Sequence, residues 1–389
     1  MIDNKHKVMT VFGIRPDFIR ASVLLKKMIR HPKIDLQFVY TGQHYDDKLM
    51  GVFFRELNIP PPTFILDATG ETHAQQHAKL IVQLEEAIKM GKPDVCLFLG
   101  DANAVIGCIT PLKMGIPIAH VEAGMRSYDW SMPEERNRVI IDRVSDVLYC
   151  YQESYKYRLI QEGINPTKIV VTGNTIVDVI EENEQNITNR MPEVLQRFGV
   201  KYKQFSVMTL HRDQTMNCPG LAMEIIRDVS RWSLRNLMPI VLIVMPRLKK
   251  IIDSKYNNVD MSPFIQTEPL GMLDFMALEK AAAIEFTDSG TNQETSTLFG
   301  TPCVVLRHCT ERPETFDSGI CVMENYEIED AANSIIGKKA NPWYSLGDGF
   351  AADIIIDDLV GRLDKGFRNT NPYIDPFIQK HYSTYSSER

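Results

Sequence analysis

Short apolar runs, each about one strand long, alternate with longer amphipathic stretches, and this alternation restricts the chain to layered α/β architectures. In the first half, Val8 to Phe12, Leu36 to Tyr40, Val95 to Leu99, Pro117 to Val121, Val147 to Cys150 and Ile169 to Val171 read as buried strands. Helical stretches separate them, the longest from about Glu71 to Met90. Another starts at Pro16, where a missing N–H costs nothing. Parallel strands need such crossovers, so a doubly wound parallel sheet is expected. Between about Ile180 and Gln204 the chain turns polar, through Glu181-Glu182-Asn183-Glu184-Gln185-Asn186, and reads as a hinge region that is partly helical. The rhythm then restarts with Phe205 to Leu210, Ile240 to Val244, Ala283 to Thr287, Pro302 to Leu306 and Ile320 to Met323. The expected fold class is α/β, with two Rossmann-like doubly wound domains, 1–180 and 181–363, facing a cleft.

Composition narrows the function classes. The 389 residues suit two domains at roughly 150 residues each. A net charge of −7 lacks the concentrated positive charge that nucleic acid requires. No apolar run approaches the length of a membrane span, and Met1 to Lys7 lack a signal-peptide core. Seven cysteines, scattered singly with no C-x-x-C pair, fit a reducing cytoplasm and argue against a disulfide framework or a structural zinc site.

Ligands of such folds sit beyond the carboxyl ends of the strands, so the residues that follow each strand are where chemistry is expected. Gly13-Ile14-Arg15-Pro16-Asp17, with Arg20 a turn later, sets two guanidinium groups near a helix N-terminus. That suits a phosphate, and serves equally as a surface ion-pair helix. Gln43-His44-Tyr45-Asp46 reads more simply as a polar turn and helix cap. Asp101 and Glu122 end successive strands, and Glu134, Glu135 and Arg138 follow. One such carboxylate would be a helix cap; clustered, they have the makings of acid/base chemistry. His211 ends the first strand of the second half, placed either to serve a leaving phosphate or to pack. Thr287-Asp288-Ser289-Gly290-Thr291-Asn292-Gln293-Glu294 is a strand-to-helix turn that offers backbone N–H groups to phosphate, with Glu294 in reach of a ribose. Arg307 and Arg312 add cations. Neither G-x-G-x-x-G nor a P-loop occurs where it would be needed. These residues point to a nucleotide diphosphate held between two domains, with acids at its far end.

In this order the motifs resemble the non-hydrolysing UDP-N-acetylglucosamine 2-epimerase family. The likeness runs from Gly13-Ile14-Arg15-Pro16-Asp17 through His120 to Gly124, Pro133 to Arg138, Thr172 to Thr175, Thr287 to Gly290 and Thr310 to Glu314, to Asn341 to Gly349. It implies the two-domain GT-B arrangement, with residues 181–363 binding the nucleotide, Phe350 to Leu363 crossing back onto the first domain, and 364–389 as a tail packed there. It implies inversion at C2 of a UDP-2-acetamido sugar by elimination and re-addition of UDP through a glycal. No cofactor and no metal is expected. Asp101, Glu122 and Glu134 look like the acid/base carboxylates, with His211 assisting the diphosphate. Arg15, Arg20, Arg138, Ser289, Gly290, Thr291, Glu294 and Arg312 look like substrate contacts, and Phe275 like the aromatic against the base. The expected partners are the UDP-sugar and a second copy of the chain in a homodimer, with no nucleic acid or membrane.

Three positions depart from the family pattern. Arg20 replaces a usual Lys. Met245 stands where a His reaches toward a second, activating UDP-GlcNAc in some members; methionine cannot make that contact, although Arg247 or Lys249 could rebuild it. Thr295 replaces the second Glu of the pattern, the usual ribose contact, so either Glu294 substitutes or Thr295 makes a weaker contact. Substrate alternatives are a UDP-2-acetamido-2,6-dideoxy-L-hexose, or hydrolytic release of ManNAc and UDP. A GT-B glycosyltransferase would not need three clustered carboxylates plus His211, and a binding-only regulator would not need to keep them.

Overall fold

The computed structural model describes residues 5–42, 57–254, 259–323 and 327–367. The turn at Gln43 to Asp46 and residues 368–389 of the expected tail lie outside the described residues. Among the described residues, thirteen strands form two all-parallel sheets. The first contains β1 (His6–Phe12), β2 (Ile34–Tyr40), β3 (Phe64–Ile65), β4 (Val95–Leu99), β5 (Ile118–Val121), β6 (Val147–Cys150) and β7 (Ile169–Val171). The second contains β8 (Ser206–Thr209), β9 (Ile240–Ile243), β10 (Phe264–Thr267), β11 (Ile284–Thr287), β12 (Cys303–Val305) and β13 (Cys321–Met323). Their orders are β3-β2-β1-β4-β5-β6-β7 and β10-β9-β8-β11-β12-β13. Each order reverses direction once, between β1 and β4 and between β8 and β11. Those two switch points are where loops diverge and leave a crevice for ligand.

The central strands are buried on both faces; all five residues of β4, for example, are inaccessible to solvent. Helices cover both faces, as parallel sheets require. Strands β3 and β10 were absent from the sequence reading. Both are edge strands with partly exposed residues, so neither presents a continuous apolar run.

The polar stretch expected to be a hinge is part of the helix Thr175–Phe198, whose 24 residues make it the longest among those described. Its buried residues Ile176, Val179, Ile180, Asn183, Ile187 and Val194 recur at helical spacing, while its charged residues other than Asp178 are exposed or half-buried. The helix follows β7 and leads to β8, so it joins the two sheets. The helix Ala351–Asp364 packs on Arg15–Arg30 and Thr175–Phe198. Lys27 pairs with Asp353 at 2.5 Å, His6 and Lys33 with Asp364 at 2.8 and 2.7 Å, and Tyr149 Oη donates to Asp358 at 3.0 Å. Among the described residues no helix is long and apolar enough to cross a membrane.

Beneath the helix Gly290–Leu298 lies a polar network closed to solvent. Thr295 donates to Glu279 Oε1 at 2.7 Å, and Asn292 Nδ2 donates to Glu285 Oε1 at 3.0 Å and lies 3.2 Å from Thr209 Oγ1. The Thr209 hydroxyl meets that of Thr287 at 2.6 Å, tying the ends of β8 and β11. Glu279 and Glu285 lean on each other. Burial pushes Glu285 up to about 7, and burial with the Glu285 charge pushes Glu279 well above the usual range.

Two stability predictions follow from these contacts. Asp178 Oδ1 and Oδ2 accept from Ala352 and Ala351 N–H at 2.9 and 3.3 Å, so Asp178 caps a helix far away in sequence. Asp178→Ala should cost about 1–2 kcal/mol in urea denaturation and Asp178→Asn less; equal stability of Asp178→Ala and wild type would contradict the capping role. The folded chain also holds protons on the Glu279–Glu285 pair that the unfolded chain releases above the ordinary glutamate range. Stability from this source is full in acid and is lost as pH rises through about 7. Glu285→Gln should therefore gain on wild type as pH rises from about 5 to about 8, by about 2 kcal/mol at the upper end. Melting curves with a gap that does not grow with pH would refute it.

Candidate active site

At the first switch point, β1 runs into Gly13-Ile14 and the helix Arg15–Arg30. Asp17 folds back so that Oδ2 accepts from Ile14 and Gly13 N–H at 3.3 and 3.4 Å. Its Oδ1 pairs with Arg20 at 3.1 Å. Burial pushes the Asp17 carboxyl up to about 7, against the pull of Arg20. Arg20, buried on the same helix, reaches Glu122 Oε2 in direct contact.

Glu122 follows β5 with φ of +76°, a left-handed backbone that a glutamate adopts only where its surroundings hold it. Two anchors do so: its N–H donates to Tyr149 O at 3.1 Å, and its carboxylate is gripped by Arg20 and, at 3.0 Å, by Arg312. Asp101 follows β4. Asn137 Nδ2 donates to its carbonyl at 2.9 Å, and Arg138 contacts its carboxylate directly. Behind it His120 spans Asp142 Oδ1 at 2.7 Å and Gly100 O at 2.9 Å, tying the end of β4 to β5 and to the helix Pro133–Val144. Burial pushes the Asp101 carboxyl up, but Arg138, aided by Arg20 and Arg212, brings it below the usual range.

Of the adjacent glutamates on that helix, Glu135 is the buried one. It accepts from Ser127 and Tyr128 N–H at 2.9 and 3.1 Å and from Arg138 at 2.7 Å. Glu134 is half-buried one position earlier.

At the second switch point, Asp288 does work that the sequence reading did not assign. Its buried carboxylate accepts from the N–H groups of His211 and Arg212 at 3.0 and 2.9 Å and meets His211 Nδ1 at 3.1 Å. The ring is thereby oriented from behind, and the side chain of His211 remains 41% exposed toward the cleft. Ser289 caps the helix Gly290–Leu298, its Oγ accepting from Asn292 N–H at 3.4 Å, and Thr291 lies half-buried in the first turn. Gly290 is packed so closely by Arg312 and Glu311 that a Cβ there would fall 2.2 Å from Arg312 Nη1.

The two halves meet through these same residues. Arg312 comes from the second half, contacts Glu311 directly, and lies 2.8 Å from Glu294 and 3.0 Å from Glu122. Asn174 donates to Glu294 at 2.8 Å, and Arg15 donates to Leu270 O at 2.7 Å, just ahead of the helix Met272–Ala281 that carries Phe275. Phe275 is partly buried against the main core. Glu294, where a ribose contact was expected, is fully buried between Asn174 and Arg312, and burial pushes it up to about 7. The Thr295 hydroxyl is taken by Glu279. Arg247 pairs with Asp213 and Asn217, and Lys249 with Asp253 at 2.9 Å; Met245 is exposed beside them.

Sequence reasoning also passed over Glu311. It is fully buried and faced by Arg307, Arg312, Arg212 and Arg138, which hold it well below the usual range despite the opposing effect of burial. The sequence signal for it was the density of arginines in Arg307 to Arg312 with one acid among them. Among the described residues no group of three or more His, Cys, Asp or Glu is placed to hold a metal ion. Chemically, the arrangement offers carboxylates at two adjacent strand ends, guanidinium groups from both halves, and a helix N-terminus with a histidine opposite.

Comparison with known proteins agrees with this geometry. The sequence profile of the family described as UDP-N-acetylglucosamine 2-epimerase matches residues 26–360. The UDP-N-acetylglucosamine 2-epimerase of Methanocaldococcus jannaschii is 34% identical over 359 residues, covering 90% of this chain and 98% of that protein. The UDP-2,3-diacetamido-2,3-dideoxy-D-glucuronate 2-epimerase of Pseudomonas aeruginosa is 32% identical over 363 residues, covering 92% and 100%. The crystal structure of the M. jannaschii UDP-GlcNAc 2-epimerase in complex with UDP-GlcNAc and UDP matches with a TM-score of 0.83 at 33% identity, over 92% of this chain and 99% of that one. On sequence, fold and reach of the match together, the chain is an enzyme of the UDP-N-acetylglucosamine 2-epimerase family.

Proposed function

We propose that the protein is a non-hydrolysing 2-epimerase that interconverts UDP-GlcNAc and UDP-ManNAc, with its two Rossmann-like halves in the GT-B arrangement. The observation that carries the reading is the pair Asp101 and Glu122, which leave adjacent strands toward one cleft while Arg312 reaches in from the other half. Inversion at C2 needs one carboxylate to take the C2 proton and another acid to return one to the opposite face. As the C2–H bond breaks, its electrons form the C1–C2 double bond and the C1–O bond cleaves, so UDP departs with that bonding pair. UDP oxygen then re-adds to C1 as C2 is reprotonated. Ser289, Gly290 and Thr291 at the helix N-terminus, with His211, Arg15 and Arg312, take the diphosphate, and Phe275 lies against the base. Arg20 and Arg138 keep Glu122 and Asp101 in place, and half-buried Glu134 is the third carboxylate of the set. A diphosphate draws on Arg312 and so loosens its hold on Glu122, giving that carboxylate its freedom when substrate is present. The seven thiols, all free, support a cytoplasmic enzyme, and the family resemblance supports a homodimer.

A modified sugar is the second reading. It is favoured by the similarity to a 2-epimerase of a diacetamido uronate, together with Thr295 and Met245 at positions where the family differs. The dideoxy-L-hexose belongs to the same class.

Proton NMR of UDP-sugars in deuterated water tests both readings. Deuterium at C2 with UDP attached is the expected result; free ManNAc would mark a hydrolase, and no change in any UDP-2-acetamido sugar would remove the proposal. Glu122→Gln keeps size and hydrogen bonding but cannot carry the proton, so turnover should fall by about 10²–10⁴ while UDP affinity changes little. A variant retaining more than about a tenth of the rate would take Glu122 out of the acid/base set. Activation by a trace of UDP-GlcNAc should be weak or absent, since Met245 offers no N–H and Arg247 and Lys249 are already paired. Rates with the 2-epimeric substrate that depend strictly on added UDP-GlcNAc would show that a second site survives.

A further inference from the structure

Glu311 lies on the loop between β12 and the 3₁₀ turn Pro313–Ser318, with its carboxylate fully buried. Four guanidinium groups surround it, and Gly290 packs against it from the helix Gly290–Leu298. Arg307 and Arg312 touch it from its own loop, Arg212 approaches to 3.2 Å from the end of β8, and Arg138 to 3.6 Å from the helix Pro133–Val144. From the helix Glu153–Gln161, Tyr155 Oη donates to the Glu311 carbonyl at 3.4 Å. Two of the four guanidinium groups are also the partners of the proposed acid/base carboxylates: Arg138 contacts Asp101, and Arg312 contacts Glu122.

We infer that Glu311 is a positioning residue for the proposed reaction, holding Arg138 and Arg312 in common and so setting how strongly each draws on Asp101 and Glu122. The assignment rests on the proposed function for the roles of those two carboxylates; the contacts stand apart from it. A guanidinium shared between two carboxylates stabilises the charge of each less than one devoted to a single partner. The other charges near Asp101 are Arg20, Arg212 and Asp17, and those near Glu122 are Arg20, Asp17 and, beyond Arg312, Glu294. Consistent with the geometry, the Glu311 charge pushes the Asp101 carboxyl up against the pull of Arg138. Glu311 thus competes with Asp101 and Glu122 for the guanidinium groups that they share.

Two substitutions should act with opposite sign. Glu311→Gln keeps the shape and removes the charge, leaving Arg138 and Arg312 to Asp101 and Glu122, so Asp101 sheds its proton at lower pH. Arg307→Gln removes a cation that serves Glu311 from the far side, so Glu311 draws harder on Arg138 and Arg312 and Asp101 keeps its proton to higher pH. The measurement is the acid limb of kcat/KM for C2 deuterium incorporation into UDP-GlcNAc, with the pH dependence of UDP affinity by calorimetry alongside. The expected result is a limb about one pH unit lower in Glu311→Gln and displaced upward in Arg307→Gln. Limbs that stay in place, with rates lowered evenly at all pH, would reduce Glu311 to a packing role and overturn the inference; so would movement of both in one direction. Should Glu311→Gln fail to fold, the direction in Arg307→Gln decides alone. A wild type that binds UDP without C2 exchange ends the epimerase reading, while the two binding profiles still decide the coupling. A wild type that binds no UDP ends both.

Discussion

The ion pair between Arg312 and Glu122 crosses from one half of the molecule to the other, and it is one link in a buried chain of alternating charge. The chain runs Asp17, Arg20, Glu122, Arg312, Glu311, Arg138, Asp101. Moving a charge from water into low-dielectric surroundings is costly unless well-placed partners compensate it, so each member depends on its neighbours in the chain. Loss of one link strands a buried charge, a situation that typically costs about 3–5 kcal/mol. This makes the relative position of the halves and the placing of the carboxylates a single problem. The same contacts that join the halves hold the carboxylates in place.

The sheet topology explains why such a chain can exist. Both sheets reverse strand order once, and the loops and helix starts that follow the strands at the two switch points carry Asp17, Arg20 and Asp101 on one side and His211, Asp288, Ser289 and Gly290 on the other. Fully buried charge is scarce in the strands themselves; Glu285 on β11 is such a case, and it is met by Asn292 of the helix Gly290–Leu298. Local geometry then fixes direction. Glu122 is forced into a left-handed backbone by the turn after β5, and His120 clamps the neighbouring strand end through Gly100.

Legibility in the sequence followed burial. Central parallel strands are covered on both faces and read as apolar runs, so β1, β4, β5, β6, β8, β9 and β11 were visible without a structure. The edge strands β3 and β10 were not, because their exposed residues break the pattern. In Thr175–Phe198 the charged residues between the buried positions masked the helical period, so a stretch read as a hinge region only partly helical proved helical as far as Phe198. At the site, strand ends located the chemistry but could not resolve neighbours. Glu134 and Glu135 are equivalent in composition, and only the helix phase shows which one turns inward to Arg138. Asp288 and Glu311 were passed over for a related reason: their task is to orient His211 and to gather arginines, and a partner's partner leaves no periodic mark in a sequence.

Charge balance also constrains how a nucleotide diphosphate is received under the proposed function. Arg20, Arg138 and Arg312 are each already engaged by carboxylates, so an entering diphosphate finds no idle cation among these three. It brings further negative charge into surroundings of low dielectric, where like charges repel strongly. Two responses lower that repulsion: arginines move from carboxylate to phosphate, or carboxylates take up protons. Both are prepared in this structure. Arg312 divides itself among Glu122, Glu294 and Glu311, so transfer to phosphate breaks no exclusive pair. Burial already holds Asp17 and Glu294 up at about 7, so a nearby anion raises them further and fills them with protons at neutral pH. Binding of the diphosphate and the protonation state of the acids around it are then linked through the same guanidinium groups, and a reaction that needs one carboxylate charged and another protonated draws on that linkage directly.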